Sequence, residues 1–240
     1  MLSEPALFVF DVDGCILDSF NYFMSFLPRI LQRFKVSPDP ALMAQLREEI
    51  IGLLSGKSSP ALITKLVLHS AKSMGLGPWR RFKFLVYLGK LYKENVRSVG
   101  FVPGALETAR FLKERGCKLA AFTTGSSKTF TALFHDKQEF ITLLDTWVTR
   151  DQVTRMKPDP EGLLLIMKRL GKKNPRRVVM VGDMHHDVAA GIAAGTITIG
   201  VKTGVCSDAE LKAAGASFVL DSVKDIPSHI ARIEALMEGP

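Results

Sequence analysis

Cysteine is scarce in this chain, and what there is lies scattered: Cys15, Cys117 and Cys206, an odd number with no CxxC spacing. That argues against a disulfide framework and against a zinc site, and fits a reducing compartment. Long hydrophobic runs are missing too, since none reaches the roughly 18 residues of a membrane span. No basic segment with a cleavage site stands before the first apolar run, so no signal peptide is expected. A cytoplasmic protein with no membrane partner is the expectation. Blocks of like charge, the usual mark of a nucleic-acid-binding arm, are absent, and no nucleic-acid partner is expected. Internal repeats and low-complexity segments are absent as well.

What is there has ordinary globular proportions, 47% hydrophobic and 23% charged over 240 residues, enough for one large domain or two modest ones. The 32 Lys and Arg outnumber the 24 Asp and Glu, a net charge of +8. This suits an anionic substrate without choosing one.

Residues 6–10 are an uninterrupted apolar run ending in Asp11, Val12, Asp13 and Gly14. Such a run reads as a strand buried on both faces, as in a parallel sheet covered by helices. From there to about residue 97 the pattern is helical. "FNYFMSFLPRILQRFK" carries a break at Pro28, and "PALMAQLREEIIGLL", "ALITKLVLHSAKSMGLG" and "PWRRFKFLVYLGKLYKENV" follow. In the last of these, Trp79, Phe82, Leu85 and Val86 fit one buried helix stripe, with the Arg and Lys left to solvent. This reading is preferred to a nucleic-acid surface. Beyond Val99 strands and helices alternate: "KLAAF", "DTWVT", "RVVMV", "TITIGV" and "SFVL" as strands, with "PGALETARFLKERG", "FTALFHDKQEF", "PEGLLLIMKRLG" and "HDVAAGIAAG" as helices. Alternation of this kind predicts an α/β fold, a parallel sheet with helices on both faces. The core is residues 1–15 with 98–240, and 16–97 is an inserted α-helical domain.

In open parallel sheets, ligands bind outside the carboxyl ends of the strands. Those ends carry Asp11 and Asp13; Thr123, Thr124, Gly125 and Ser126; and Gly182 and Asp183, with Asp187 four residues on. Lys157 precedes a proline in the loop "RMKPDP". Each has a plainer reading: Asp and Gly end strands in turns, Thr123 can simply close a strand, Lys157 can be a solvated loop residue, and Asp187 can favour a helix N-terminus. Taken together, the carboxylates need a cation between them, and an oxygen-only donor set suits a hard ion, Mg²⁺ above all. With a lysine and a loop of hydroxyls and amides beside it, the same edge has what a phosphate needs. His185 and His186 read as exposed loop residues and not as metal ligands.

On these residues the chain resembles the haloacid dehalogenase-like (HAD) hydrolase superfamily, phosphatase branch, and most of all its phosphoglycolate phosphatase and β-phosphoglucomutase subgroup. The matching stretches are "DVDGCILDS", Thr123 in "AFTTG", Lys157 in "MKPDP" and "VGDMHHDVAAG". The resemblance implies a Rossmann-like core with a helical cap. It makes Asp11 the nucleophile that forms an aspartyl-phosphate, and Asp13 the proton shuttle, its backbone carbonyl also on the metal. Asp183 would be a direct Mg²⁺ ligand, with Asp187 supporting the metal shell. Thr123 and Lys157 would hold the phosphoryl oxygens. The dehalogenases of the superfamily lack the second acid of the first motif, so Asp13 favours phosphoryl transfer. Cys15 departs from the usual Thr and reads as a small buried residue.

In such relatives a loop between early cap helices reads the substrate. "IGLLSGKSS" resembles it, making Lys57 a substrate contact beside Thr124 and Gly125, unless the loop is a solvated turn. The expected activity is Mg²⁺-dependent hydrolysis of a small phosphorylated substrate, phosphoglycolate-like or a sugar phosphate, by a monomer or homodimer. A sugar phosphomutase with the same motifs, and a non-catalytic binding protein on the same fold, are the alternatives.

Overall fold

The computed structural model describes residues 4–37, 39–41, 43, 44 and 60–238, with the side chains of all these except 60–63 and 66. The substrate loop proposed around Lys57 lies outside the described residues, as does most of the helical segment 40–54. The chain divides into two compact units, residues 1–20 with 99–240, and residues 21–98.

The first unit is built on a six-stranded, wholly parallel sheet. Its strands are β1 (Leu7–Phe10), β2 (Lys118–Phe122), β3 (Thr146–Val148), β4 (Val178–Gly182), β5 (Ile197–Val201) and β6 (Phe218–Leu220), in the order β3-β2-β1-β4-β5-β6. Each predicted run forms its strand. Every residue of β1, β4 and β5 is buried, which is why those segments are continuously apolar and not alternating. On one face Leu7, Val9, Ala120, Phe122 and Met180 pack with Leu163 and Ile166 of the helix Glu161–Arg169 and Ala190 of the helix His185–Ala193.

β1 is central, and its register sets the functional edge. Phe10 stands opposite Ala121 of β2 and Val181 of β4, so the chain leaves all three strands at one level. The segments after Phe10, Phe122 and Gly182 therefore emerge side by side, far apart as they are in sequence.

Two helical readings in this unit need correction. The single helix over residues 130–140 is two, Ser127–Leu133 and Gln138–Leu143. The turn between them lets Phe134 and Phe140 stack with centroids 5.6 Å apart. His185 and His186 are not exposed loop residues: they open the helix His185–Ala193, and His186 is buried. Among the described residues, the helices Ala105–Glu114, Asp208–Ala213 and Ile226–Glu238 also belong to this unit.

The second unit is helical. Pro28 falls in the first turn of Leu27–Arg33, after a break that ends the helix Ser19–Met24. A proline is tolerated at that place because its missing N–H is unused there. Pro60–Ser73 and Pro78–Asn95 follow. Ile30, Phe34, Ala71, Leu76, Phe84 and Leu91 form the core. The expected buried stripe of Pro78–Asn95 is wrong: Trp79, Phe82 and Val86 are 67%, 54% and 55% exposed. Phe84 and Leu91, two turns apart, bury instead, with Tyr87 and Leu88 packed beside them. Among the described residues, no helix is long and apolar enough to cross a membrane.

Candidate active site

Beyond β1 the chain turns sharply. Gly14 has φ +80°, which a side chain would strain, and its N–H donates to the Leu17 carbonyl at 2.8 Å. This turn leaves Asp11 at the strand end, fixed by its own N–H to the Val181 carbonyl at 2.8 Å. It carries Asp13 to where Ser19 Oγ donates to its Oδ1 at 2.6 Å. Asp183 follows β4 directly. Asp187 sits in the first turn of His185–Ala193, its Oδ2 accepting the Met184 N–H at 3.1 Å.

Asp11, Asp183 and Asp187 are all buried, and each brings a carboxylate oxygen within 4.8 Å of the other two. Lys157, also buried, lies between two of them: its Nζ is bound to Asp11 and 2.6 Å from Asp187, and donates to the Phe122 carbonyl at 2.9 Å. The Phe122 ring lies under the same ammonium at 4.8 Å, a cation–π contact. Lys157 is therefore no solvated loop residue.

The electrostatics follow from this crowding. Burial pushes the Asp11 carboxyl up to about 7 although Lys157 pulls it back, and Asp187 and Asp13 add to the rise. Burial raises Asp183 well above the carboxylate range, with Asp11 and Asp187 as repelling neighbours. Asp187 goes the other way: burial opposes its charge, but Lys157 and His186 outweigh it and hold it below the usual range. Burial likewise opposes the charge of Lys157, yet Asp11 and Asp187 raise it above the lysine range. Asp13 is raised, chiefly by burial, against the pull of Ser19.

One ammonium cannot neutralise three carboxylates, and the contacts of Lys157 leave Asp183 out. A buried, oxygen-only cluster with this deficit of positive charge fits a hard divalent cation.

Thr123 follows β2, buried, with its Oγ1 accepting the Gly125 N–H at 3.0 Å. Thr124 and Gly125 are half-buried beside it, ahead of the cap at Ser126, whose side chain accepts the Thr129 N–H. Cys15 is a buried thiol near the Val181 carbonyl, as read from its size.

A second loop, unforeseen from the sequence, completes the edge. After β5, Thr203 Oγ1 donates to the Gly14 carbonyl at 2.6 Å and the Val205 N–H to Asp183 Oδ2 at 3.1 Å. Gly204 passes so close that a Cβ there would lie 1.7 Å from Asp183 Oδ2. Ser19 was also missed as a partner of Asp13, although it closes the quoted first motif.

A family model for haloacid dehalogenase-like hydrolases matches residues 5–195 of this chain. Among curated relatives, phosphoglycolate phosphatase 1 of Pseudomonas aeruginosa is 25% identical over 222 residues, covering 92% of this chain and 78% of that protein. Pyrophosphatase PpaX of Bacillus mycoides is 35% identical over 127 residues, 53% of this chain and 58% of that one. Among solved structures, a HAD family hydrolase of Deinococcus radiodurans R1, with bound phosphate and sodium, aligns with a TM-score of 0.76 at 19% identity, covering 96% of each chain. A subfamily IA HAD hydrolase of Geobacter sulfurreducens aligns at 0.66 and 21% identity, over 93% of this chain and 95% of that one. At these identities the structural likeness shows the fold.

The chain belongs to the haloacid dehalogenase-like hydrolases. It is a phosphatase of that family.

Proposed function

We propose that the protein is a Mg²⁺-dependent phosphatase that hydrolyses a small phosphorylated metabolite, phosphoglycolate-like or a sugar phosphate, through an aspartyl-phosphate on Asp11. The observation that carries this is the meeting of Asp11, Asp183 and Asp187 within 4.8 Å, with Lys157 bound to Asp11.

In this reading an Asp11 carboxylate oxygen attacks phosphorus, and the bond from phosphorus to the ester oxygen breaks. Asp13 gives its proton to that leaving oxygen. A carboxyl raised by burial and steadied by Ser19 Oγ suits such an acid. Asp13, now ionised, takes a proton from a water that attacks phosphorus, and the bond to Asp11 breaks to free phosphate. Splitting one displacement into two is the gain from a covalent nucleophile. Lys157 holds a phosphoryl oxygen and steadies the charge of Asp11, and Thr123, Thr124 and Gly125 supply hydroxyl and amide donors. Asp11, the Asp13 carbonyl, Asp183 and Asp187 would hold Mg²⁺. When bound, that ion offsets the charge shared by the carboxylates and the phosphoryl oxygens. Residues 16–97 serve as the cap domain of a core made of 1–15 and 98–240, with Lys57 as a substrate contact.

The test is Asp11→Asn, an isosteric change that removes the nucleophile. Hydrolysis of p-nitrophenyl phosphate with Mg²⁺ is expected to fall to background while the melting curve keeps its shape. Undiminished turnover in a folded variant would refute the assignment. A panel of phosphorylated metabolites then ranks substrates, and conversion of a hexose 1-phosphate to its isomer without free phosphate would replace the phosphatase by a mutase.

A further inference from the structure

We propose that the helical unit carries a second anion site, a groove that binds a nucleoside polyphosphate with its base against Trp79 and Phe82 and its phosphates on Arg33, Lys83 and Lys90. This does not rest on the catalytic reading above.

Charge is divided unevenly between the two units. Residues 21–98 hold 13 Lys and Arg against four Asp and Glu, a net +9, whereas the whole chain carries +8. The α/β unit, with 19 basic and 20 acidic residues, is nearly neutral. The basic character noted from composition is thus a property of the helical unit alone. Charge so placed, on a segment rich in aromatics, points to an anion with a flat apolar part.

The groove has the lining such an anion needs. It encloses about 640 Å³ between Leu27–Arg33 and Pro78–Asn95, within the range of small-molecule sites. Arg33, Arg80, Lys83 and Lys90 line it, and among the described residues no carboxylate does. The helical spacing of 79, 82, 83, 86 and 90 puts Trp79, Phe82, Lys83, Val86 and Lys90 along one face. Trp79 and Phe82 stack with centroids 5.8 Å apart and planes 20° from parallel. That leaves a preformed aromatic platform more than half exposed. Lys83 Nζ lies 5.4 Å from the Trp79 ring centroid, so a base on that ring would bring its phosphates near an ammonium. Arg80 is fixed by donation to the Phe34 carbonyl and shapes the wall. Lys90 meets Glu94 only at 3.7 Å in an exposed i,i+4 pair, a contact weak enough to yield to a phosphate.

Other occupants fit less well. A second copy of this chain docked by a two-fold axis would bring each set of cations against itself. A membrane meets a flat or convex face more readily than a groove. A polynucleotide calls for a longer row of stacking platforms than one aromatic pair.

The chain has two tryptophans, Trp79 and Trp147, so Trp147→Phe leaves Trp79 as a reporter. ATP titrated with EDTA present is expected to change its fluorescence saturably, half-maximally below about 1 mM. Inorganic triphosphate should bind more weakly, and adenosine should not bind detectably. Lys83→Glu should weaken ATP about tenfold or more, and Trp79→Ala should abolish calorimetric binding. Both variants are expected to turn over p-nitrophenyl phosphate as the parent does, which separates this groove from the catalytic edge. No response to ATP, a response unchanged by Lys83→Glu, or tighter binding of a short oligothymidylate or of phosphatidylserine vesicles would each overturn the proposal.

Discussion

Gly204→Ala tests the active-site geometry without touching a charge. The backbone of Gly204 has no left-handed φ, so the substitution strains no torsion; what it meets is Asp183. The added Cβ would stand 1.7 Å from Oδ2, 2.3 Å from Cγ and 2.6 Å from Cβ of that residue. An ordinary contact begins at 3.4 Å, so loop and carboxylate must separate by about 1.7 Å. Little room exists for it. Asp183 Oδ2 is held by the Val205 N–H of the same loop, and Gly14 crowds the same oxygen, so near that a Cβ there would be 2.7 Å from Oδ2 and 3.1 Å from Gly204 Cα. Overpacking of this kind costs about 1–3 kcal/mol. A catalytic group moved by more than 1 Å loses roughly 10²-fold in rate. Expected, then, are a fall of about that size in kcat/KM for p-nitrophenyl phosphate, a Mg²⁺ titration shifted to higher concentration, and a modestly lower urea midpoint. Parental kcat/KM with an unmoved Mg²⁺ midpoint would show that the close packing around Asp183 plays no part in activity.

Gly89 is the control, a mid-helix glycine with nothing within 4 Å of an added Cβ; Gly89→Ala should stabilise by about 0.5–1 kcal/mol, and a lowered urea midpoint would contradict it. Lys157→Met leaves Asp11 and Asp187 buried without their shared cation, and should cost about 3–5 kcal/mol in EDTA along with activity; an unchanged denaturation curve would sink that account. Asp145 accepts from Lys113 at 2.9 Å, Lys118 at 2.8 Å and the Leu119 N–H at 2.8 Å. Burial opposes its charge, but these donors outweigh it and lower its pKa. Its contribution is therefore full above the unfolded carboxylate value of about 3.9 and is lost as pH falls through the lower folded value. Asp145→Asn should cost about 1.5–3 kcal/mol at pH 7 and progressively less in acid; a penalty independent of pH would refute the pairing.

Much of this was legible from residue order because buried parallel strands advertise themselves. β1, β4 and β5 are covered on both faces, so their runs have no polar interruption, and the charges that end them stand out. The helical face of Pro78–Asn95 was not legible for the opposite reason. A period of 3.6 permits overlapping stripes, and Trp79, Phe82 and Val86 fit one as well as Phe84, Leu88 and Leu91 fit another. Only the neighbours Ile30, Phe34 and Ala71 decide which is covered. Gly204 was invisible because its torsions are ordinary. Its need for a missing side chain arises from Asp183, 21 residues away. His186 was misplaced because its burial depends on the helix that Asp187 helps to start.

A cluster of three buried carboxylates around one ammonium is a poor choice if stability is the only demand. Lys157 reaches Asp11 and Asp187, and among the described residues Asp183 is left with a single backbone donor. Without a further cation, the fold must keep protons on groups that would be ionised in water, and the raised Asp11 and Asp183 are the trace of that demand. The surroundings nevertheless hold these groups in place: Gly14 and Gly204 give Asp183 its space, the Met184 N–H anchors Asp187, and the Phe122 carbonyl and ring fix Lys157. Groups held this firmly against their own repulsion mark a site shaped for a ligand that supplies the missing positive charge.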